Sequence, residues 1–471
     1  MRTRPMDTEI MALKIKRLNG PRLFSSLLVS LFVSFLFIDF SAASSEPSVP
    51  LKKSIVQDYN ARLKGLFEDF HANPELSTVE FKTAAKLAKQ LRSHGYEVTE
   101  GVGGTGVVAI LKNGPGPLVM MRADMDGLPI KEKTKLSYAS KVEQLDPFSK
   151  MLSPVMHACG HDVHITSLIG TAKQMSERTD QWSGTLMLIG QPAEERLIGA
   201  QAMMEDNLWP RFGTPDYALA FHVAAGMPVG TLNVQEGSPF AGADSVDIIV
   251  HGVGAHGASP HAGKDPIVLA SQIVLSLQTL ISRELAPKQP GVITVGAFNS
   301  GSKHNIIPEQ AHLKVTVRNS NLETRELLLA GIERITKNLG RAAGLSEDKL
   351  PEVIYGREST PPTINDTQLV QRLRTVWQKH MGENRVNAYT SDGMGAEDFP
   401  AFTTVPKIPS VYFAVGGSSL EDIMAARSGT GPAIASHHSP MFKIEPEASV
   451  ITGVFATVTA LFDLMPVQTD G

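Results

Sequence analysis

The sequence predicts an α/β architecture, a mostly parallel central sheet with a ferredoxin-like α+β layer inserted into it. Three observations predict it. Apolar runs of strand length at 107–111, 118–121, 185–189 and 217–221 are interspersed with helix-periodic segments at 166–175 and 200–204, and strands alternating with helices make a parallel sheet. Beyond Ser245 the order becomes strand (246–250), helix (266–281), two strands (292–297 and 313–317), helix (325–339) and a last strand (353–355), which is the ferredoxin-like arrangement. After Pro361-Pro362 the first pattern returns, with a helix over 369–380 and a strand over 410–415. Ahead of the sheet, 55–70 and 81–91 carry apolar residues at helical spacing, separated by the breaker Asn73-Pro74.

The chain of 471 residues exceeds one ordinary core. The pattern divides it into a leader over 1–43, a larger layer in two pieces over 50–240 and 357–471, and the insertion over 241–356. In the leader, Arg2, Arg4, Lys14, Lys16, Arg17 and Arg22 precede an apolar run over 23–38, and Ser41, Ala42, Ala43 and Ser44 follow it. Charged, apolar and small residues in that order read as a secretory signal peptide, so the protein is expected to be exported, periplasmic or secreted. An uncleaved anchor is the alternative. The run is short for a membrane span, and no other stretch is expected to reach spanning length. A lipoprotein anchor is excluded, because no cysteine follows the run. The single cysteine, Cys159, rules out an intramolecular disulfide, and a net charge of -4 gives no reason to expect a nucleic-acid partner.

Four segments carry chemistry. In His157-Ala158-Cys159-Gly160-His161-Asp162-Val163-His164, a thiolate and an imidazole two residues apart, joined by a glycine that permits a tight turn, can converge on one divalent ion. Gly190-Gln191-Pro192-Ala193-Glu194-Glu195 follows the strand ending at Ile189, and strand C-terminal ends are where open α/β sheets build their sites. Of two adjacent carboxylates, one can bind metal while the other takes a proton from water. His222 is expected at the end of the strand from Tyr217, and His437-His438-Ser439-Pro440 lies near the C-terminus. Each segment alone also reads as structure: an inert core cysteine, a solvated acidic loop, a packed histidine. Their joint occurrence favours a metal centre.

These segments, together with Met121-Arg122-Ala123-Asp124-Met125-Asp126-Gly127-Leu128-Pro129, Asn305-Ile306-Ile307-Pro308, Gly395-Ala396-Glu397-Asp398-Phe399 and His438-Ser439-Pro440, resemble the hippurate hydrolase and indole-3-acetyl-amino-acid hydrolase group. That group belongs to the aminoacylase and carboxypeptidase G superfamily of two-metal peptidases. The resemblance runs from about residue 55 to the C-terminus. It implies a phosphorylase/hydrolase-like catalytic domain with an inserted lid that also dimerises. It also implies two divalent ions per subunit, and mixed sulfur, nitrogen and oxygen donors are compatible with zinc, manganese, cobalt or nickel.

By the same resemblance, Cys159, His161, Glu195, His222 and His438 fall on metal-ligand positions, and Glu194 falls on the general base. Asn305 and Arg318 fall on positions that hold a substrate carboxylate, a task that suits the planar guanidinium. His256, in the glycine-rich loop Gly254-Ala255-His256-Gly257-Ala258, falls on a histidine that reaches a partner subunit's active site. Asp126 is read as orienting a ligand, with a buried structural carboxylate as the alternative. His157, His164 and His437 are left as orienting or structural residues, and Phe240 as hinge material. The implied reaction is metal-dependent hydrolysis of the amide bond of small N-acyl amino acids by a homodimer with no stable membrane span. A dipeptidase or carboxypeptidase of the same chemistry is the alternative. An exported binding protein that has lost catalysis is a weaker one, since the base and all five ligand positions carry competent residue types.

Overall fold

The computed structural model describes residues 48–390 and 393–467; the signal-peptide expectation lies outside them. These residues form one compact unit. Its centre is an eight-stranded sheet in which Gly184–Gln191, Leu118–Asp124, Tyr217–Pro228 and Ser410–Ser418 lie side by side and parallel. Antiparallel strands flank them, with Gly106–Asn113 pairing Gly184–Gln191 on one side and Leu232–Asn233 pairing Ser410–Ser418 on the other. Three of the central strands are almost continuously buried, and Tyr217–Pro228 is buried over 218–221, as parallel strands covered on both faces must be. Helices His161–Ser176 and Pro446–Leu464 pack on one face, where Val119, Met121 and Ala123 point. Met120 points to the other, toward Trp209, Phe399, Phe402 and Tyr412.

The inserted layer is a four-stranded antiparallel sheet of Gly291–Ser300, Gln310–Asn319, Gly242–His251 and Glu352–Thr360, in that spatial order. Numbered along the chain the order is second, third, first, fourth, which is the ferredoxin-like topology the sequence predicts. Helices Pro266–Thr279 and Leu322–Ala342 cover one face, and Val246, Ile248, Val250, Leu313 and Val317 alternate toward them. The layer therefore has its own core.

Two expectations need amending. The strand from Tyr217 continues to Pro228, so His222 lies within it, paired with Ala414. The sequence reading also overlooks Pro446–Leu464, a helix of 19 residues long and apolar enough to span a membrane by length and composition alone, as is Pro266–Glu284. The first is 72% buried inside the unit, so its apolar character is spent on the protein core rather than on lipid.

A buried ion cluster fixes the loop after the first strands to helix His161–Ser176. His71 Nδ1 lies 2.7 Å from Asp162 Oδ2, and Nε2 lies 3.2 Å from Glu132 Oε1. Burial opposes a charged ring, but the hydrogen bonds and charges of Asp162 and Glu132 outweigh it and carry His71 up to about 9. A pKa raised on folding contributes stability that is complete below the unfolded value near 6.5 and is lost as pH rises through about 9. Denaturant titrations of wild type and His71→Gln are thus expected to differ by roughly 3 kcal/mol more at pH 6 than at pH 10. A gap that does not change with pH would mean that packing alone accounts for His71.

Candidate active site

The four sequence segments meet at the C-terminal ends of the central strands. Gly160, with φ of 86°, caps helix His161–Ser176 in a left-handed conformation, and a Cβ there would meet Val223 Cγ1 at 2.3 Å. Glycine is what lets Cys159 and His161 face the same space. After strand Gly184–Gln191 the chain turns through Ala193, at φ 48°, and enters the short 3₁₀ turn Glu194–Arg196. This strained turn is held by two carboxylates. Ala193 N–H donates to Glu80 Oε1 at 2.8 Å, Glu194 N–H to Asp126 Oδ1 at 3.1 Å and Glu195 N–H to Asp126 Oδ2 at 3.1 Å. Three successive amides are thereby satisfied, and both glutamate side chains are directed into the cleft. Thr105 and Ser77 hydroxyls donate in turn to Glu80 and Asp126.

Donor atoms of Cys159, His161 and His222 lie within 4.8 Å of one another, and so do those of Cys159, Glu195 and His438. The two triads share Cys159 and contain all five residues that the resemblance put on ligand positions. Cys159 Sγ is 3.4 Å from His222 Nε2, and His438 Nε2 is 3.3 Å from Glu195 Oε2. His161, Glu194 and Glu195 form a third group.

The backbone sorts the histidines. A carbonyl can only accept and an N–H can only donate, so each fixes which ring nitrogen carries a proton. His161 Nδ1 donates to Asp126 O at 2.8 Å and His222 Nδ1 to Val223 O at 2.7 Å. Both rings then turn Nε2 toward the triads, the nitrogen left to hold a cation once it is deprotonated. His164 accepts from Val223 N–H through Nε2 at 2.9 Å and gives its Nδ1 proton to Asp124 Oδ1 at 2.5 Å, so it has no lone pair left for a cation.

The residues fit divalent metal. His161 Nε2 and Glu195 Oε1 are buried with no hydrogen-bond partner among the described residues. Burial, helped by Glu397 and Glu195, raises Glu194 well above the usual carboxylate range. Burial with Glu195 and Glu194 raises the Cys159 thiol. Burial alone would lower His161, yet Asp124 and Asp126 carry it up to about 10. So much converging negative charge calls for a positive one, which cations supply. Burial holds His222 well below its usual value, neutral as a ligand must be.

A cleft of about 890 Å³ opens over the triads. Besides Cys159, Glu194, Glu195, His222 and His438, it is lined by Arg318 and by apolar and aromatic residues including Leu197, Met227, Phe240, Tyr389 and Met394. Phe240, read from sequence as hinge material, is thus a wall of the cleft. Arg318 reaches in from strand Gln310–Asn319 of the inserted layer and makes no ion pair within 4.0 Å among the described residues. Asp244, the nearby acid, is taken by Arg325 at 2.7 Å. His256 and Asn305 lie elsewhere, on a separate cavity of about 600 Å³ with Lys303 and Ile306. Within one chain they do not line the cleft.

Sequence reasoning gave no role to the network beneath the cleft. The fully buried Arg122 guanidinium donates to Asp124 Oδ2 and Glu397 Oε1 at 2.7 Å each and to Gln191 Oε1 at 2.7 Å. Tyr412 O–H donates to Glu397 Oε2 at 2.6 Å. The signal was present: an arginine inside an otherwise apolar strand requires buried acids, and Glu397-Asp398 stood among the quoted motifs.

An inserted-lid α/β fold whose strand ends bring two donor triads and a separate buried carboxylate into one cleft defines a metal-dependent hydrolase. The chain belongs to Peptidase family M20/M25/M40, whose model matches residues 120–428. It is 39% identical over 353 residues to the hippurate hydrolase of Campylobacter jejuni, covering 73% of this chain and 87% of that one. It is 35% identical over 379 residues to the IAA-amino acid hydrolase ILR1-like 2 of Arabidopsis thaliana, covering 80% and 79%. Among solved structures it resembles the YXEP protein of Bacillus subtilis, described as a dinuclear metal binding peptidase from the M20 family, with a TM-score of 0.67 and 28% identity over 86% of this chain and 98% of that one.

Proposed function

We propose that the protein hydrolyses the amide bond of N-acyl amino acids, releasing a carboxylic acid and a free amino acid. One observation carries this reading: a single cleft combines the buried Glu194 carboxylate, donors from both triads and the Arg318 guanidinium, which makes no ion pair among the described residues. Cys159, His161 and His222 would hold one divalent ion, and Cys159, Glu195 and His438 the other. When bound, the ions supply Lewis acidity toward the amide carbonyl and toward the attacking water. Glu194, held by Asp126 through its own N–H, accepts the proton of that water and delivers it to the leaving amine. Arg318 pairs with the free α-carboxylate of the substrate. The apolar walls at Leu197, Met227 and Phe240 receive an aromatic or aliphatic acyl group. A screen of benzoylglycine, other N-acyl amino acids and unblocked dipeptides with zinc, manganese, cobalt and nickel tests the reading. Faster cleavage of the dipeptides would favour a peptidase.

The two adjacent glutamates separate under substitution. Chelation is expected to abolish turnover and a divalent metal to restore it. Glu194→Gln should keep its metal and lose turnover by ~10²–10⁴-fold, the usual contribution of a general base. Glu195→Gln should lose metal. If metal analysis and turnover change alike in the two variants, the division of roles is wrong.

The carboxylate pairing is tested on the substrate side. Replacing a charge-assisted hydrogen bond costs about 1.5–3 kcal/mol, so Arg318→Ala should lower kcat/KM about 10–100-fold on free acids and leave methyl esters of the same substrates unchanged. Equal rates of the wild type on acid and ester would remove Arg318 from recognition.

We further propose a homodimer formed through the inserted layers, in which His256 and Asn305 complete the partner's cleft. Two features support it. Both residues lie on their own cavity, away from the cleft of their own chain. Strand Gly291–Ser300 is an open edge of its sheet, with Phe298 exposed. His256→Ala and Glu194→Gln should each be inactive alone. Mixed under subunit exchange, they should regain activity, because one site of each heterodimer is then intact. Verified exchange without recovery would refute action in trans.

A further inference from the structure

Two histidines flank the Cys159 sulfur; the backbone gives both the Nδ1–H tautomer, but they turn opposite nitrogens toward the sulfur. His222 Nε2, at 3.4 Å, faces the sulfur with a lone pair, because its Nδ1 proton is given to Val223 O. His437 approaches the same sulfur with Nδ1, at 3.7 Å, while its Nε2 lies 3.3 Å from Ala225 N. A backbone N–H can only donate, so Nε2 of His437 must be its lone pair and Nδ1 must carry the proton. The ring is held in that orientation by Phe442, tilted against it with centroids 4.8 Å apart, and by His222 edge-on at 5.1 Å. Among the described residues, His437 belongs to none of the donor groups that could surround an ion.

We propose that His437 is a positioning residue for the metal centre, its Nδ1–H donating a hydrogen bond to the Cys159 thiolate. This rests on the reading of Cys159 as the ligand common to both triads. A sulfur shared by two ions would have lone pairs committed in two directions, and a donor from a third side would fix its rotamer without competing for an ion. The same bond withdraws electron density from the sulfur and lowers the energy of its remaining lone pair. It therefore weakens the thiolate as a donor and keeps the ions more Lewis-acidic than an unbonded thiolate would.

Cobalt(II) provides the test, since a thiolate ligand gives a sulfur-to-cobalt charge-transfer band. In the cobalt-substituted wild type the band should be present. His437→Phe keeps the ring but removes the donor, and should shift the band to longer wavelength. His437→Asn, whose amide nitrogen falls near the position of Nδ1, should return it toward the wild-type position. A band that stays in place in His437→Phe would overturn the proposal while leaving Cys159 a ligand. No band in the wild type would overturn both. If His437→Phe does not fold, ¹⁵N spectra of the histidine-labelled zinc protein decide the matter: a protonated Nδ1 on His437 supports the proposal, and a protonated Nε2 refutes it.

Discussion

The buried guanidinium of Arg122 is the cation on which the rest of the site depends. It gathers Asp124 from its own strand, Gln191 from the neighbouring strand, and Glu397 from a segment 275 positions away in the chain. An arginine with no exposed surface is tolerated only when its hydrogens are placed on acceptors of compensating charge. Here those acceptors are the same acids that lie under the cleft. Asp124 passes the constraint on to His164, and His164 accepts from Val223 N–H, the residue next to His222. One buried charge thus ties three strands together beneath the cleft.

Above this base, the cleft is built from backbone constraints rather than from side-chain packing. Left-handed residues at Gly160, Ala193 and His438 turn the chain sharply where donors must leave it. Carboxylates of Glu80 and Asp126 take up the amides exposed at one of those turns. The result is a set of rings and carboxylates oriented before any cation arrives, which is what a preorganised centre requires.

Much of this was legible in the sequence, for identifiable reasons. Strand–helix alternation and the later ferredoxin-like order survive because burial on both faces demands nearly continuous apolar strands, and such runs are easy to find. The segments that meet in the cleft were legible because cysteine, histidine and paired glutamates rarely cluster without cause. What escaped was long-range. Nothing near Arg122 in sequence names Glu397 as its partner, and nothing near His437 indicates that Ala225 will fix its tautomer. Phe240 was misjudged because a residue at a domain boundary looks like a hinge until the two layers are folded over it. The helix Pro446–Leu464 was missed because it is apolar all round, so it lacks the polar stripe by which a surface helix is recognised.

That last helix also makes the main sheet depend on distant parts of the chain. The inserted layer draws its core from one continuous stretch, Val246 to Ile332 and the residues packed around it, so its contacts are local in sequence. The sheet that carries the cleft has no such independence. Its helical face is covered by Pro446–Leu464, which lies against His161–Ser176 and Ser48–Asp58. The N-terminal apolar residues of that face therefore wait, uncovered, for a segment nearly four hundred positions downstream. Cys159 and His438 are 279 positions apart, with the whole inserted layer between them. The lid thus has a core that is local in sequence, whereas the centre it covers needs segments from both sides of the insertion.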